Sequence, residues 1–237
     1  MKVPISIVIP ALNEGQYIGK LLASLKAQTC QPEEVMVVDA FSTDNTVAVV
    51  KSYGYKVMED KAWIGEARNI GAKATTQPFI LFLDADVILP PKFLEKIMAE
   101  FNERHLDAAS CYHTPLSTHT STHILYAISN IYLAIMSHVS MRAYGYCILA
   151  KRDLHNKIKG FDKTLRLAED HDYANRLSKA GRFGFLTSEK IPVSPRRFRE
   201  DGPVRLIMKT LIAEFHLLFI GSIKRPLFSY QFGEHTK

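Results

Sequence analysis

The chain has 237 residues, 47% hydrophobic and 23% charged, and this composition excludes a disordered, collagen-like or disulfide-dominated protein. Its formal net charge of +6 suits an anionic partner, which would be nucleic acid, an anionic membrane surface or a phosphorylated substrate. The chain has three cysteines, an odd number without C-x-x-C spacing: Cys30, Cys111 and Cys147. This pattern argues against a zinc ribbon and against a secreted disulfide framework, so we expect a cytoplasmic protein.

The first hundred residues alternate strand patterns with helix patterns. Short apolar runs predict strands at residues 5–9, 34–39, 55–58 and 79–83. Apolar residues at helical spacing predict helices at residues 18–25, 45–54, 65–75 and 93–101. Strands that alternate with helices of this length favour an α/β fold with a mostly parallel central sheet flanked by helices.

The second half is less regular. Strands are expected at residues 108–112 and 144–150, and helices at residues 124–139, 172–180 and 204–223. Gly181 is expected to end the helix before it in a left-handed conformation. No composition shift marks a linker, so we expect one domain over residues 1–200 and a C-terminal helical extension over residues 201–237.

Two predicted strands end in acidic residues. Asp39 ends the second strand, and Asp84 and Asp86 directly follow the fourth. Ligands of parallel α/β sheets bind outside the carboxyl ends of the strands. Carboxylate oxygens there suit Mg²⁺ or Mn²⁺, which bind one or two carboxylates together with substrate phosphate oxygens. Without further information, ordinary turn acids before Pro90 would be an equally good interpretation.

Five segments together resemble glycosyltransferase family 2, a family of inverting enzymes. They occur in the family's order at residues 8–14 (VIPALNE), 37–46 (VVDAFSTDNT), 67–71 (ARNIG), 83–86 (LDAD) and 160–177 (GFDKTLRLAEDHDYANRL). A set of five ordered motifs is far more specific than an isolated D-x-D. The resemblance implies a GT-A fold and the transfer of a sugar from a UDP- or GDP-linked donor to an acceptor hydroxyl or phosphate.

The resemblance also implies a role for each matching residue. Donor binding would involve Pro10, Asn13, Glu14, Asp39, Arg68, Asp84 and Asp86. Within that set, Asp39 would contact the base, Asp84 would lie near the ribose, and Asp86 would hold the Mn²⁺ or Mg²⁺ on the diphosphate. Asp170 would be the general base that deprotonates the acceptor. Its acidic neighbours Glu169 and Asp172 would raise its pKa, although acids are also favoured at a helix N-terminus in any protein.

The chain departs from the family at two places. Ala40 and Phe41 stand where the family usually has an acid and a glycine, so the resemblance does not fix the nucleotide. Residues 194–198 (SPRRF) only partly match the polysaccharide-synthase pattern Q-x-x-R-W. Arg196 and Arg197 are candidates to bind the diphosphate or an anionic acceptor, because guanidinium groups fit phosphate. A solvated basic loop is the alternative for both.

Two apolar segments raise the question of a membrane. Residues 108–141 contain no Asp, Glu, Lys or Arg, and their apolar helix pattern predicts either a core helix or a surface that faces a lipid or a lipid-linked glycan acceptor. Residues 204–223 are long enough to span a bilayer. However, Arg205, Lys209 and Glu214 would each raise the free energy of membrane insertion by roughly 2.5–3.5 kcal/mol at the centre of such a span. We expect peripheral contact with the cytoplasmic face of a membrane, with packing on the domain or pairing with a second copy as alternatives.

Other functions fit the sequence less well. A non-catalytic nucleotide-sugar-binding protein would have no reason to keep both Asp86 and Asp170. A sugar-phosphate nucleotidyltransferase would have a glycine-rich basic loop after the first strand, where this chain has Asn13, Glu14 and Gly15. An NAD-dependent oxidoreductase would have a G-x-G-x-x-G motif there. Nucleic-acid binders spread basic charge along one face, so no nucleic acid partner is expected.

Overall fold

The computed structural model describes residues 2–221, 223 and 224, but not the side chains of residues 197, 199, 203, 204 and 218. The predicted helical extension therefore falls partly outside the described residues, and its boundary at residue 200 stays a prediction. The strands are β1 (Lys2–Ala11), β2 (Gln31–Asp39), β3 (Lys56–Glu59), β4 (Phe79–Leu83), β5 (Ala108–Pro115), β6 (Cys147–Lys151) and β7 (Phe183–Val193). The helices are α1 (Ile18–Lys26), α2 (Thr46–Ser52), α3 (Ile64–Lys73), α4 (Phe93–Glu103), α5 (Thr120–Met136), α6 (Arg152–Lys157), α7 (Glu169–Ala180), α8 (Arg196–Asp201) and α9 (Pro203–Phe219).

The strands form one sheet in the order β3-β2-β1-β4-β6-β5-β7. Every strand runs in the same direction except β6, which is antiparallel to both β4 and β5. The prediction of a mostly parallel α/β sheet flanked by helices is confirmed. Because six strands share a direction, the loops that follow β1, β2, β4, β5 and β7 emerge at the same edge of the sheet.

Apolar residues on both faces of the sheet form the core. The larger cluster packs the fully buried Leu21, Leu25 and Phe101 against β1 and β4, and a second cluster lies on the opposite face around Phe82 and Tyr173. Gly71 lets α3 lie directly on β1, because a β-carbon at this position would be only 2.4 Å from Val8 Cγ1. This close approach explains the glycine of the ARNIG segment physically.

Three sequence predictions about the second half need correction. The sequence patterns did not reveal β7, α6 or α8, since these elements lack a clear apolar period. Helix α7 starts at Glu169, three residues before the predicted start, so its first turn contains Glu169, Asp170 and Asp172. Gly181 adopts an extended conformation (φ −161°) and not the left-handed one.

The structure also corrects the interpretation of α5 as a core helix. Only Tyr126 and Leu133 of α5 are buried. Ile124, Ile128, Ile131 and Ile135 are each more than half exposed. Helix α9 likewise exposes Leu211, Phe215 and Phe219. Within the described residues, no helix is both long enough and apolar enough to cross a membrane.

Candidate active site

The sequence-predicted donor residues of the first two strands lie in a tightly bonded pair of loops. Asp39 is fully buried at the end of β2, and its carboxylate accepts hydrogen bonds from the Ser42 backbone N–H (2.7 Å) and hydroxyl (2.5 Å). Asn13 has a left-handed backbone (φ 54°), and its side-chain oxygen accepts the Thr43 backbone N–H at 2.9 Å. Pro10 is buried in β1 next to them. These bonds hold the two loops together at the carboxyl edge of the sheet.

Arg68 of α3 joins the fourth strand to α7. Its guanidinium donates to Asp84 Oδ1 and to Glu169 Oε1, both at 2.8 Å, and its side chain is 1% exposed. Burial lowers the pKa of Arg68, but the Asp84 and Glu169 carboxylates raise it more, so the group stays charged. Burial raises the pKa of Glu169, and the neighbouring Asp170 raises it further, while Arg68 opposes both. The sequence motifs did not show that one arginine connects these two acids.

Asp170 lies at the N-terminus of α7 and is oriented by the backbone. Its carboxylate accepts the Gly145 N–H at Oδ2 and its neighbour His171 N–H at Oδ1, each at 2.8 Å. The positive end of the helix dipole favours acids at this position. Asp172, in contrast, forms an ion pair with Arg176 at 2.7 Å. Of the two acids near Asp170, Glu169 is therefore connected through Arg68 to Asp84, and Asp172 to Arg176 within α7.

A buried polar network behind Asp170 was missed by the sequence reasoning. His171 Nδ1 donates a hydrogen bond to the Ala143 carbonyl (2.7 Å), and Nε2 of the same ring lies 3.4 Å from Glu214 of α9. Arg142 also lies 3.4 Å from Glu214. Burial raises the pKa of Tyr144 to about 12. The charges of Asp170 and Glu214 add to this rise, and a hydrogen bond with Ser129 opposes it. The one sequence feature that pointed to this network is Glu214, the single acidic residue of the mostly apolar helix α9.

Arg196 lies against Glu14 and Asp86 and not in a solvated loop. Its Nη1 and Nη2 atoms each lie 2.7 Å from a different oxygen of Glu14, and its Nε lies 3.1 Å from Asp86 Oδ2. A small cleft beside Asp86 is lined by Tyr17, Lys20, Leu116 and Ser194, among others. The side chain of Arg197 lies outside the described residues, so its predicted role stays a prediction.

A metal site made only of protein ligands is not present in the part of the chain that the structure describes, where no three His, Cys, Asp or Glu side chains are grouped for a metal ion. One histidine of the uncharged residues 108–141 contacts a tyrosine. His113 is buried against Tyr146, and burial together with Lys190 lowers its pKa to about 4. Carboxylates such as Asp86 remain suitable for a hard divalent ion that takes its other oxygens from a diphosphate.

The family model described as glycosyl transferase family 2 matches residues 6–158, more than half of the chain. The chain belongs to this family. A Haemophilus influenzae relative named as an uncharacterized glycosyltransferase is 29% identical over 73% of this chain and 61% of its own length. Validoxylamine A glucosyltransferase of Streptomyces hygroscopicus subsp. limoneus is 36% identical over 40% of this chain and 23% of its own length. The family 2 chain thus spans less than two thirds of these curated relatives.

Solved structures confirm the GT-A fold. Staphylococcus aureus TarS in complex with UDP-GlcNAc superposes with a TM-score of 0.65 at 22% identity, covering 82% of this chain and 58% of that one. The mannosyltransferase PcManGT of Pyrobaculum calidifontis, in complex with GDP-Man and Mn²⁺, gives 0.67 at 19% identity, covering 90% and 65%. At these identities the likeness establishes the fold, and the roles of individual residues in this family 2 chain stay predictions.

Proposed function

We propose that the chain is a metal-dependent inverting glycosyltransferase that moves a sugar from a UDP- or GDP-linked donor to an acceptor hydroxyl or phosphate. The observation that supports this most directly is the Arg68 bridge. It holds Asp84, from the D-x-D segment, and Glu169, next to Asp170, on one guanidinium at 2.8 Å each. An acid for the donor and an acid for the acceptor are therefore held in one site, as a single displacement with inversion requires.

Asp86 is the residue that would hold Mn²⁺ or Mg²⁺. Its carboxylate oxygens suit such an ion. Mn²⁺ is present in the complex of PcManGT with GDP-Man, and also in a complex of glucosyl-3-phosphoglycerate synthase, which has a similar fold, with UDP. A bound divalent ion supplies positive charge against the negative charge that develops on the leaving diphosphate. Asp39, Asn13, Pro10 and the Asp84 carboxylate would position the nucleoside.

Asp170 would act as the general base. Two backbone N–H groups hold its carboxylate, which fixes the direction of its remaining lone pairs. It would accept the proton of the acceptor hydroxyl as that oxygen attacks the anomeric carbon on the face opposite the leaving group. Glu169, whose pKa is raised by burial and by Asp170, would stay tied to Arg68 while it lines the acceptor side, and Asp172 would stabilise α7 through Arg176.

Two carboxamide variants test these roles separately. Asp86→Asn is expected to abolish metal-dependent donor binding, and Asp170→Asn to leave donor binding intact while transfer is lost. Thermal unfolding with UDP, GDP, CDP or TDP, each with Mn²⁺, Mg²⁺ or EDTA, would identify the donor class, since ligand at a hundred times Kd stabilises by about 2.7 kcal/mol. Equal nucleotide affinity of wild type and Asp86→Asn with Mn²⁺ would refute the metal assignment. Nucleotide binding without transfer to any acceptor would favour the non-catalytic alternative.

We also propose that helices α5 and α9 contact an anionic lipid surface on the cytoplasmic face of a membrane, which favours a lipid-linked or cell-envelope glycan acceptor. Both helices present apolar residues that are more than half exposed, among them Ile128, Ile131, Leu211 and Phe215. The exposed faces carry no acid, because α5 has no formal charge and the one acid of α9, Glu214, is buried. Arg205 is exposed, which complements a negative surface.

Sedimentation with vesicles tests this contact. The wild type is expected to sediment with vesicles that contain phosphatidylglycerol, and Ile128→Glu/Ile131→Glu is expected to remain in the supernatant, because both acids would meet the negative surface. Met58→Glu is the matched control, since Met58 of β3 is also exposed but lies elsewhere on the fold. Equal sedimentation of all three proteins would contradict the proposal, as would a dimer in light scattering that the double variant converts to a monomer.

A further inference from the structure

The proposed metal ligand Asp86 already has a cationic partner in this structure. Arg196 Nε lies 3.1 Å from Asp86 Oδ2, and the other two guanidinium nitrogens each lie 2.7 Å from an oxygen of Glu14. The side chains of Arg196, Asp86 and Glu14 are 12%, 10% and 7% exposed. One arginine thus neutralises part of the charge of two acids that we place on the donor side, in surroundings where water screens the charges only weakly.

The backbone delivers Arg196 to this position. The segment after β4 pairs with the end of β7 through a bridge between Val87 and Val193. The Ser194 N–H donates to the Asp86 carbonyl at 3.0 Å. The Arg196 guanidinium also lies over the ring of Tyr17, 4.9 Å from its centroid. The arginine is therefore fixed by the sheet on one side and by an aromatic ring on the other, and its contact with Asp86 is part of the architecture.

We propose that Arg196 is the internal counter-ion of Asp86 and Glu14, and that a divalent cation and a nucleoside diphosphate displace it from Asp86 together. This inference rests on the proposed function, which places the metal on Asp86. A divalent ion at the Oδ2 atom would meet the guanidinium charge at close range, so the ion pair has to open when the metal binds. The metal alone offers Arg196 no new anion, whereas a diphosphate offers one that fits the guanidinium fork.

The charges of the site support joint binding. In the described ion pairs of Asp86 and Glu14, two carboxylates share one guanidinium, so these three groups together carry a single negative charge. A divalent ion alone would turn this into a net positive charge, and the anionic diphosphate would offset it. Each ligand therefore improves the site for the other. Such coupling is reciprocal, so the factor by which diphosphate strengthens metal binding equals the factor by which metal strengthens diphosphate binding.

Removing the arginine should separate the two binding events. In Arg196→Gln, the metal no longer competes with a cation, so we expect Mn²⁺ to bind about tenfold more tightly without nucleotide, a typical size for such coupling. With nucleotide present the gain should disappear, because the diphosphate has lost its guanidinium partner. Mn²⁺ binding is measured by electron paramagnetic resonance on the full chain with and without UDP or GDP, corrected for metal that the nucleotide chelates in solution.

Two further variants keep the test specific. Arg205→Gln removes the same charge from a neighbouring helix, where Arg205 is largely exposed and 3.9 Å from Asp201, and it should leave donor-free Mn²⁺ binding unchanged. Arg196→Lys keeps the charge but loses the fork that holds Glu14 and Asp86 together, and it should give an intermediate Mn²⁺ affinity. If Arg196→Gln does not fold, as judged by circular dichroism, Arg196→Lys supplies the measurement.

The possible results separate this inference from the proposed function. Tighter donor-free Mn²⁺ binding in Arg196→Gln, with a smaller effect of nucleotide, supports the counter-ion role. If Arg196→Gln binds Mn²⁺ equally or more weakly without nucleotide, while the wild type binds Mn²⁺ with nucleotide, the counter-ion role of Arg196 is overturned. The metal assignment to Asp86 then still stands. Absence of Mn²⁺ binding in both proteins with every nucleotide overturns the metal assignment itself.

Discussion

Two arginines organise the two sides of the site, and they do so differently. Arg68 joins Asp84 and Glu169 inside the protein, with its side chain 1% exposed. Arg196 joins Glu14 and Asp86 beside a surface cleft, with its side chain 12% exposed. Both neutralise a pair of acids, and the second pair lies beside the cleft at Asp86. We expect Arg68 to hold the geometry of the site, whereas Arg196, as proposed above, would occupy a position that a ligand can take over.

The comparison is tested most strongly by removing each arginine. Arg68→Gln leaves Asp84 and Glu169 without a cation in the interior, and breaking a buried pair in this way lowers the free energy of unfolding by roughly 3–5 kcal/mol. Arg196→Gln leaves Glu14 and Asp86, which are 7% and 10% exposed, without this cation, and it should cost a similar amount. Urea unfolding followed by circular dichroism measures both.

Mn²⁺ sharpens this result, because it can replace the charge of Arg196 but not that of Arg68. Adding Mn²⁺ should restore stability to Arg196→Gln and not to Arg68→Gln. If Mn²⁺ restores the stability of both variants, or of neither, the two arginines do not differ in whether a metal ion can replace their charge.

Two buried histidines should make the stability of the protein sensitive to acid. Burial lowers the pKa of His113 and of His155 to about 4, aided by Lys190 for the first and by Arg152 and Arg176 for the second. Both pKa values lie below the ordinary 6.5, so the unfolded chain binds protons that the folded chain does not, and stability is lost as pH falls from 6.5 towards 4. Between about pH 7 and pH 5 the loss is about 2 kcal/mol for each histidine.

Single substitutions measure this contribution. His155→Gln should reduce the difference between the unfolding free energies at the two pH values, and His105→Gln is the control because His105 is exposed in a turn after α4. An equal pH dependence in wild type and His155→Gln would show that buried histidines do not cause the acid sensitivity.

A further effect on stability is expected at a glycine next to Arg68. A β-carbon at Gly145 would lie 2.0 Å from Arg68 Nη2, so Gly145→Ala must push the guanidinium away from Asp84. Overpacking of this kind typically costs about 1–3 kcal/mol. Gly19→Ala is the matched control, because the nearest atom to its β-carbon, on Val49, is at an ordinary 3.5 Å, and alanine in α1 gains helix propensity. Equal stability of the two variants would mean that Arg68 is less firmly held than the contacts indicate.

Local sequence patterns were enough to predict the fold class and the family of this protein. Alternating periods of two and 3.6 residues mark the strands and helices of the first half, because those elements bury one or both faces and need that spacing. The order of the five motifs, from VIPALNE to the segment around Asp170, identified the family, and strand-end acids pointed to the edge of the sheet where a ligand binds. These signals are local, so they can be read from neighbouring residues.

Which charged residues meet could not be predicted without the fold. Arg196 lies 182 residues from Glu14 in sequence, and Arg68 lies 101 residues from Glu169, so no local spacing records either ion pair. The antiparallel direction of β6, the presence of β7 and the contact of Glu214 with Arg142 and His171 were equally hidden. The physical reason is that a buried charge must find an opposite charge wherever packing places one, and packing is a property of the whole fold.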